Sequence, residues 1–329
     1  MRFLGAIMDN LISICIPTYN RLPLLQETIA SCLTQKYRPL EIVIGDNSTN
    51  DITEEYLQNL VLPDNIELRY FHNRPTCGPA MNVNRLFDAA RGGRLLLIHD
   101  DDLLCEGGLD ILAECWEKHP SARCVYGNQY LISQAGLVLP QKSEELNVFY
   151  SRSKQFEGPQ TSCLEAGLRQ QVPNNGYLVE TALARQVRYR TEAEVGHSVD
   201  TDFGIRLGAA VESGAFVYVN EYVSKNRENE TSIMRLKSIN HGQHLFYREV
   251  EKFPVSSPGE VAAKQELLDR IGAIASLDAA MAKDRKMAFH ILFSRHYGKP
   301  IFSHWTLFRL LSIISPNLGM AAGRLARRS

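Results

Sequence analysis

Leu95-Leu96-Leu97-Ile98-His99-Asp100-Asp101-Asp102 decides how this chain of 329 residues is read. Four large aliphatic residues lead directly into three consecutive carboxylates, and Gly92-Gly93 precede them. A short unbroken apolar run with such boundaries predicts a buried strand. Adjacent aspartates repel one another, and taking each from water unpaired costs several kcal/mol. Ending the strand at a cleft and supplying a cation relieves both penalties. Hard divalent ions take oxygen ligands and commonly keep phosphate oxygens in their shell. One reading is therefore a metal–phosphate site at a strand C-terminus. The other is a polar turn in which one aspartate caps the following helix.

Toward the N-terminus, Leu11-Ile12-Ser13-Ile14-Cys15-Ile16 predicts a first strand, ended by Pro17. Pro17-Thr18-Tyr19-Asn20-Arg21 is then a loop, and Leu22, Leu25, Ile29 and Leu33 have helical spacing. Pro23 sits where a helix tolerates its missing N–H. Leu40 to Gly45 predicts a second strand opening into Asp46-Asn47-Ser48-Thr49-Asn50-Asp51, followed by a helix from about Ile52 to Leu60. Ile66 to Phe71 alternates as a third strand, and Ala80 to Ala90 reads as a helix. Strands alternating with helices imply a mainly parallel α/β sheet. In such sheets ligands bind beyond the carboxyl ends of the strands. That rule gathers Thr18-Tyr19-Asn20, Asp46-Asn47 and Asp100-Asp101-Asp102 at one edge, which favours the cleft reading of the acids. No G-x-G-x-x-G follows the first strand and no G-x-x-x-x-G-K-[ST] occurs, so a dinucleotide fold or P-loop is disfavoured.

Toward the C-terminus, Gly107 to His119 reads as a helix and Arg123 to Gly127 as a strand. Residues 128–172 predict a hairpin or lid-like excursion. Asn174-Asn175-Gly176 is turn chemistry, and Tyr177 to Ala184 opens as strand or helix. Val195 to Asp202 leads into a helix bearing Phe203, Ile205 and Leu207, and Phe216 to Val219 is a late strand. From about residue 240 only helices are expected: Glu260 to Ala282, Lys286 to Tyr297 and Ile301 to Ile314. This gives a catalytic domain over 1–240 and a helical C-terminal segment over 241–329. Asp200 and Asp202 stand at a helix mouth, where acids are favoured by free N–H groups and the dipole. A carboxylate facing a metal-bound leaving group can also take a proton from an attacking hydroxyl.

The formal net charge is −1, so no global field favours nucleic acid. Seven cysteines without a C-x-x-C pair argue against a disulfide framework or zinc site and for reduced thiols in the cytoplasm. The apolar stretch at the start is too short for a signal peptide. No run of about 18 apolar residues occurs, so no spanning helix is expected. Trp305, Phe308 and Arg309 beside the basic tail Arg324, Arg327 and Arg328 suit either a packed helix or one lying on a membrane surface.

The order of these pieces resembles the family 2 glycosyltransferases of the GT-A fold. The resemblance rests on Ile14-Cys15-Ile16-Pro17-Thr18-Tyr19-Asn20-Arg21, Glu41 to Asp51, Gly78-Pro79-Ala80-Met81-Asn82, His99 to Asp102, and Asp200-Thr201-Asp202-Phe203-Gly204-Ile205-Arg206-Leu207. It implies a Rossmann-like, mixed and mainly parallel sheet, a UDP-, GDP- or dTDP-linked sugar donor, and inversion at the anomeric carbon. By the resemblance, Pro17, Thr18, Tyr19, Asn20, Asp46 and Asn82 face the nucleotide. Asp100 and Asp101 contact the ribose or the metal. Asp102, with Asp101, ligates Mg²⁺ or Mn²⁺. Asp200 matches the family's catalytic base, and Asp202 caps or orients. The acceptor is expected to be a saccharide or a lipid-linked sugar in cell-surface polysaccharide or glycolipid assembly, with the enzyme cytoplasmic or peripheral on the inner membrane face.

Several positions depart from the family pattern. His99 replaces the first acid, so the ligand set falls to Asp101 and Asp102. Met81 replaces a frequent arginine, leaving Arg74, Arg85 or Arg94, or none of them, as the phosphate partner. The stretch Ser224-Lys225-Asn226-Arg227-Glu228-Asn229 lacks the metal-binding histidine many members place there. Arg227 could reach the diphosphate instead, or His241 or His244 could serve, although a solvated helix position explains both histidines. A nucleotidyltransferase or a non-catalytic sugar-nucleotide-binding protein would use the same cleft.

Overall fold

The computed structural model describes residues 10–228, 242–298 and 303–315. They form two compact units: 10–189 with 203–228, and 190–202 with 242–298 and 303–315.

The first unit is built on a nine-stranded mixed sheet. Its strands are β1 (Ile12–Thr18), β2 (Leu40–Asp46), β3 (Ile66–His72), β4 (Arg94–Leu97), β5 (Leu103–Leu104), β6 (Cys124–Ile132), β7 (Gly158–Pro159), β8 (Tyr177–Glu180) and β9 (Phe216–Arg227). Their order is β3-β2-β1-β4-β8-β6-β9-β5, with β7 on β9. The run β3-β2-β1-β4 is parallel, as is β6 with β9. β8 enters antiparallel between β4 and β6. The register sets Thr18 beside Asp46, and Asp46 beside His72. Every residue of β2 is buried, as is every residue of β1 except Pro17. That is the pattern of parallel strands covered on both faces.

The helices α1 (Leu22–Leu33), α2 (Ile52–Gln58), α3 (Pro79–Ala89), α4 (Gly108–Lys118), α5 (Pro140–Phe149), α6 (Cys163–Leu168) and α7 (Thr181–Val187) follow in chain order. Leu25, Ile29 and Cys32 of α1 and Leu109 and Leu112 of α4 pack with Ile14, Ile16, Ile42, Ile44 and Leu96 in one core. Proline opens α1 and α3 in the first helical positions, where an N–H would lack an intrahelical partner anyway.

The second unit contains α8 (Glu192–Val195), the first turn of α9 (Val199–Ala209), α10 (Gln243–Lys252), α11 (Pro258–Met281), α12 (Arg285–Leu292) and α13 (His304–Ile314). Ser257 and Glu260 form a reciprocal capping box at the start of α11, satisfying two backbone donors at once. Ala279, Ala280, Ala288, Leu292 and Ile313 form its core. Among the described residues no helix is long and apolar enough to cross a membrane.

The structure differs from the sequence expectations at identifiable places. The late strand runs twelve residues, to Arg227. The excursion after residue 128 is mostly ordered: β6 continues to Ile132, which bridges to Val138, and α5 and α6 follow. Tyr177 to Ala184 is strand and then helix, because β8 hands over to α7 at Thr181. Residues 190–202 group with the helical unit rather than the sheet, since Arg190 pairs with Glu249 at 2.8 Å and Gln243 Nε2 donates to Ser198 Oγ at 3.1 Å. Arg309 is buried and gives Nη2 to the Ala273 carbonyl at 2.7 Å, so it presents no cation to a membrane surface. The Trp305 side chain and Arg324, Arg327 and Arg328 lie outside the described residues.

Candidate active site

The strand expected from Leu95 ends at Leu97, and His99 to Asp102 form a turn closed by Asp102 N–H donating to the His99 carbonyl at 3.2 Å. The α1 residue Thr28 anchors this turn from below, its hydroxyl donating to the Asp102 carbonyl at 2.8 Å. The turn sits beyond the carboxyl end of the parallel run, beside the ends of β1 and β2.

Asp100 turns toward β1. Its Oδ2 accepts from the Thr18 hydroxyl at 2.8 Å and from Tyr19 N–H at 3.3 Å. Arg21 Nη1 bridges Asp100 at 3.3 Å and Asp101 at 2.9 Å. Burial raises the Asp100 pKa, against the pull of Arg21, and Asp101 adds to the rise. Asp102 is the most enclosed acid. Its Oδ1 accepts from Arg227 N–H at 2.7 Å and its Oδ2 from Asn175 Nδ2 at 2.5 Å. Burial, then the neighbouring Asp101, pushes its carboxyl up to about 7, while His99, Arg227 N–H and Asn175 work the other way.

His99, Asp101 and Asp102 place one ligand atom each within 4.8 Å of one another, and His99 Nδ1 lies 3.7 Å from Asp102 Oδ2. The donor set fits a divalent ion: two carboxylate oxygens suited to Mg²⁺ or Mn²⁺, with an imidazole that Mn²⁺ also accepts. His99 thus stands beside Asp101 and Asp102 as a candidate ligand. Sequence reasoning counted that residue as a departure because it is not an acid. A second group, Asp51, Glu54 and His72, also has ligand-like spacing, but the Arg74 guanidinium already pairs with Asp51 and reaches His72 Nδ1 at 3.1 Å.

On the nucleotide side, Asp46 is wholly buried. Its carboxylate accepts from Ser48 N–H at 2.6 Å and from the Tyr70 hydroxyl at 3.0 Å. Asn47 N–H donates to the Thr18 carbonyl at 2.9 Å, fastening the two loops together. Asn20 adopts a positive φ of 53°, and its N–H donates to Ser48 Oγ at 2.8 Å. Tyr19 is 54% exposed beside this floor, with Pro17 partly covered beneath the same loop. Asn82 is buried: Nδ2 donates to the Gly45 carbonyl at 2.7 Å and Oδ1 accepts from Asn73 at 2.8 Å. A Cβ on Gly45 would meet Asn82 Oδ1 at 2.4 Å, so only glycine admits this amide.

The candidate phosphate cations separate cleanly. Arg94 begins β4, at the opposite end from the acids, and pairs with Glu117 at 2.9 Å. Arg85 donates to Asn73 Oδ1 at 2.6 Å and lines a cavity of about 380 Å³ with Arg69, Phe71 and Asn82. Arg227 does not offer its guanidinium to a diphosphate. It is buried and donates to Glu27 Oε2 at 2.6 Å, the Asp101 carbonyl at 2.9 Å and the Gln134 carbonyl at 2.8 Å. His244 is buried on α10, where burial lowers its pKa, rather than solvated. His241 lies outside the described residues.

Asp200 and Asp202 occupy the first turn of α9, in the second unit. Asp202 is buried, its N–H bonded to the Ser198 carbonyl at 2.9 Å and its carboxylate 3.7 Å from Arg190. Asp200 is half-buried. Thr18, Tyr19, Asn20, Asp46, Asn82 and the three acids share the first unit; Asp200 does not.

Residues 13–170 match the family model Glycosyl transferase family 2. A GalNAc(5)-diNAcBac-PP-undecaprenol beta-1,3-glucosyltransferase of Campylobacter jejuni is 32% identical over 127 residues, which is 38% of this chain and 40% of that protein. Abequosyltransferase RfbV of Salmonella typhimurium is 33% identical over 136 residues, 41% of this chain and 36% of its own length. The chain thus spans about two-fifths of the length of these two relatives. S. aureus TarS 1-349, solved with UDP, superposes with a TM-score of 0.60 at 13% identity, covering 94% of this chain and 91% of that one. The mannosyltransferase PcManGT of Pyrobaculum calidifontis, solved with GDP-Man and Mn²⁺, gives 0.57 at 13% identity, covering 95% and 85%. Residues 13–170, which carry the two strand-end loops and all three acids of the turn, thus carry the sequence signature of glycosyl transferase family 2, on a GT-A fold.

Proposed function

We propose that the protein is a divalent-metal-dependent, inverting glycosyltransferase. It moves a sugar from a nucleoside-diphosphate donor to a hydroxyl acceptor in the assembly of a cell-surface polysaccharide or glycolipid. The observation that carries this reading is the convergence of the Thr18–Tyr19 loop, Asp46 and the His99–Asp102 turn at one sheet edge. The relatives support it: the names of two specify glycosyl transfer, one with an undecaprenol-linked acceptor, and the solved structures hold UDP or GDP-Man with Mn²⁺.

In this reading Tyr19 receives the base, the buried Asp46 fixes the loop beside it through Ser48 and Tyr70, and Asp100 and Asn82 hold the ribose-side loops in place. Asp101, Asp102 and His99 would hold the ion, which when bound neutralises charge on the departing nucleoside diphosphate. Asp200 takes the proton from the acceptor hydroxyl as that oxygen attacks the anomeric carbon. A single displacement from the opposite face inverts that centre. An undecaprenol-type acceptor would put the enzyme at the inner membrane face.

The test is a thermal-shift screen of UDP-, GDP- and dTDP-sugars with and without Mn²⁺, since a ligand that binds only the folded state raises its stability. Stabilisation by one nucleotide that requires Mn²⁺ and disappears in Asp102→Ala supports the reading and names the donor class. No stabilisation by any of them counts against it.

A further inference from the structure

Arg152 is a buried cation without an acid. It is 2% exposed, and its Nε has no hydrogen-bond partner. Its surround is tyrosine, Tyr150, Tyr218, Tyr126 and Tyr222, with the guanidinium 5.4 Å from the Tyr150 ring centre, and no carboxylate pairs with it among the described residues. A ring face offsets only part of the desolvation of a buried guanidinium, so its one polar side-chain contact demands an explanation.

That contact is Arg152 Nη1 donating to Gln129 Oε1 at 3.3 Å. Gln129 is 2% exposed, on β6. Its Nε2 in turn donates to Asn175, at 3.3 Å to the carbonyl and 3.5 Å to Oδ1, and to Asn174 Oδ1 at 3.4 Å. Asn175 has no exposed surface, and its Nδ2 donates to Asp102 Oδ2 at 2.5 Å. A guanidinium can only donate and a carboxylate can only accept. The two ends therefore demand the same polarity of the amides between them. Gln129 must turn its oxygen to Arg152 and its NH₂ to Asn175, and Asn175 must turn its NH₂ to Asp102. Gly176 fixes the carrier: it has φ +74°, its N–H donates to the Leu97 carbonyl at 2.7 Å, and a Cβ there would strike Ser224 Oγ at 2.4 Å.

We propose that Arg152, through Gln129 and Asn175, is a positioning residue for the metal-binding carboxylate of Asp102, its donor-only guanidinium setting the orientation of both amides. The relay rests on the reading of Asp102 as a metal ligand. Partners of this kind behind a ligand typically contribute ten- to hundredfold in metal affinity.

The test measures Mn²⁺ affinity by electron paramagnetic resonance titration, and unfolding temperature, for wild type, Arg152→Gln, Arg152→Lys and Gln129→Glu. Arg152→Gln is expected to bind Mn²⁺ roughly tenfold more weakly or worse, and Arg152→Lys, still a pure donor, to recover most of that. Gln129→Glu gives the buried cation an anion, so its unfolding temperature stays at or above wild type. Yet it can no longer donate to Asn175, so its Mn²⁺ affinity falls as in Arg152→Gln. Charge alone predicts the opposite sign in both cases, because losing a cation or gaining an anion near the site tightens Mn²⁺ binding. Mn²⁺ affinity within twofold of wild type, or tighter, in folded Gln129→Glu overturns the relay. Absence of Mn²⁺ binding in wild type overturns the metal reading of Asp102 and the relay with it.

Discussion

Arg227 holds Asp102 with its backbone and leaves its side chain for a different task. The N–H reaches Asp102 Oδ1 at 2.7 Å, while Nη2 reaches Glu27 on α1 at 2.6 Å. Arg227→Ala keeps the bond to Asp102 and removes the tie between β9 and α1. It also leaves the Asp101 and Gln134 carbonyls without these donors. The expected loss is about 2–4 kcal/mol of stability, with metal-dependent donor affinity reduced far less. Urea unfolding beside a donor titration checks this. A stable variant that has lost donor binding would return the guanidinium to the diphosphate.

Asp102→Ala and Asp200→Asn should separate binding from transfer. The first is expected to abolish the Mn²⁺-dependent part of donor binding. The second keeps donor affinity and lowers transfer by roughly 10²–10⁴-fold, the usual contribution of a positioned base. Isothermal titration and a sugar-transfer assay read the two quantities. Undiminished transfer by Asp200→Asn removes it from the role of base.

The Asp102 carboxyl rises from an ordinary 3.8 to about 7 in the fold, chiefly through burial. Between those values the folded chain keeps a proton that the unfolded chain has released, so stability falls as pH rises through the window. Wild type should therefore lose stability relative to Asp102→Ala across that interval and no further above it. Saturating Mn²⁺, which binds the deprotonated folded site, should reverse the loss. Paired unfolding curves at several pH values measure the difference; a constant gap contradicts it.

Tyr19, at 54% exposure, has little packing to lose. Tyr19→Ala should leave the unfolding temperature unchanged and weaken donor binding by about 1–3 kcal/mol, the scale of one base–aromatic stack. Equal weakening for free sugar phosphates lacking a base would show that the ring does not read the nucleobase.

The first hundred residues were legible because β1, β2 and β4 are mainly apolar runs, β3 alternates, and polar residues at the strand ends mark the cleft. β1 and β2 are buried on both faces, so composition alone defines them. Beyond residue 128 the same logic weakened. β6, β8 and β9 mix buried and half-exposed positions, and Gln129, Asn147 and Arg152 are polar residues of the interior. Nothing in a linear pattern distinguishes them from a surface loop. His99 is not an acid, and only the fold shows its ring within ligand spacing of Asp101 and Asp102. Arg227 was marked as important for its charge, whereas its peptide N–H touches the site. Asn175 sat inside an ordinary turn signature, and only the pairing of β8 with β4 shows which carboxylate it meets.

The two donors on Asp102 come from 73 and 125 residues downstream. Both lie past residue 170, where the match to the family model ends. Contacts so far apart in sequence close large loops, and their entropy is repaid only late in folding. The nascent first half of the chain therefore emerges with its three aspartates assembled in order but without the groups that hold the deepest of them. If the turn holds the proposed ion, its capture would report on complete synthesis, and a polypeptide stopped at the edge of the recognisable family segment would carry the signature without the grip.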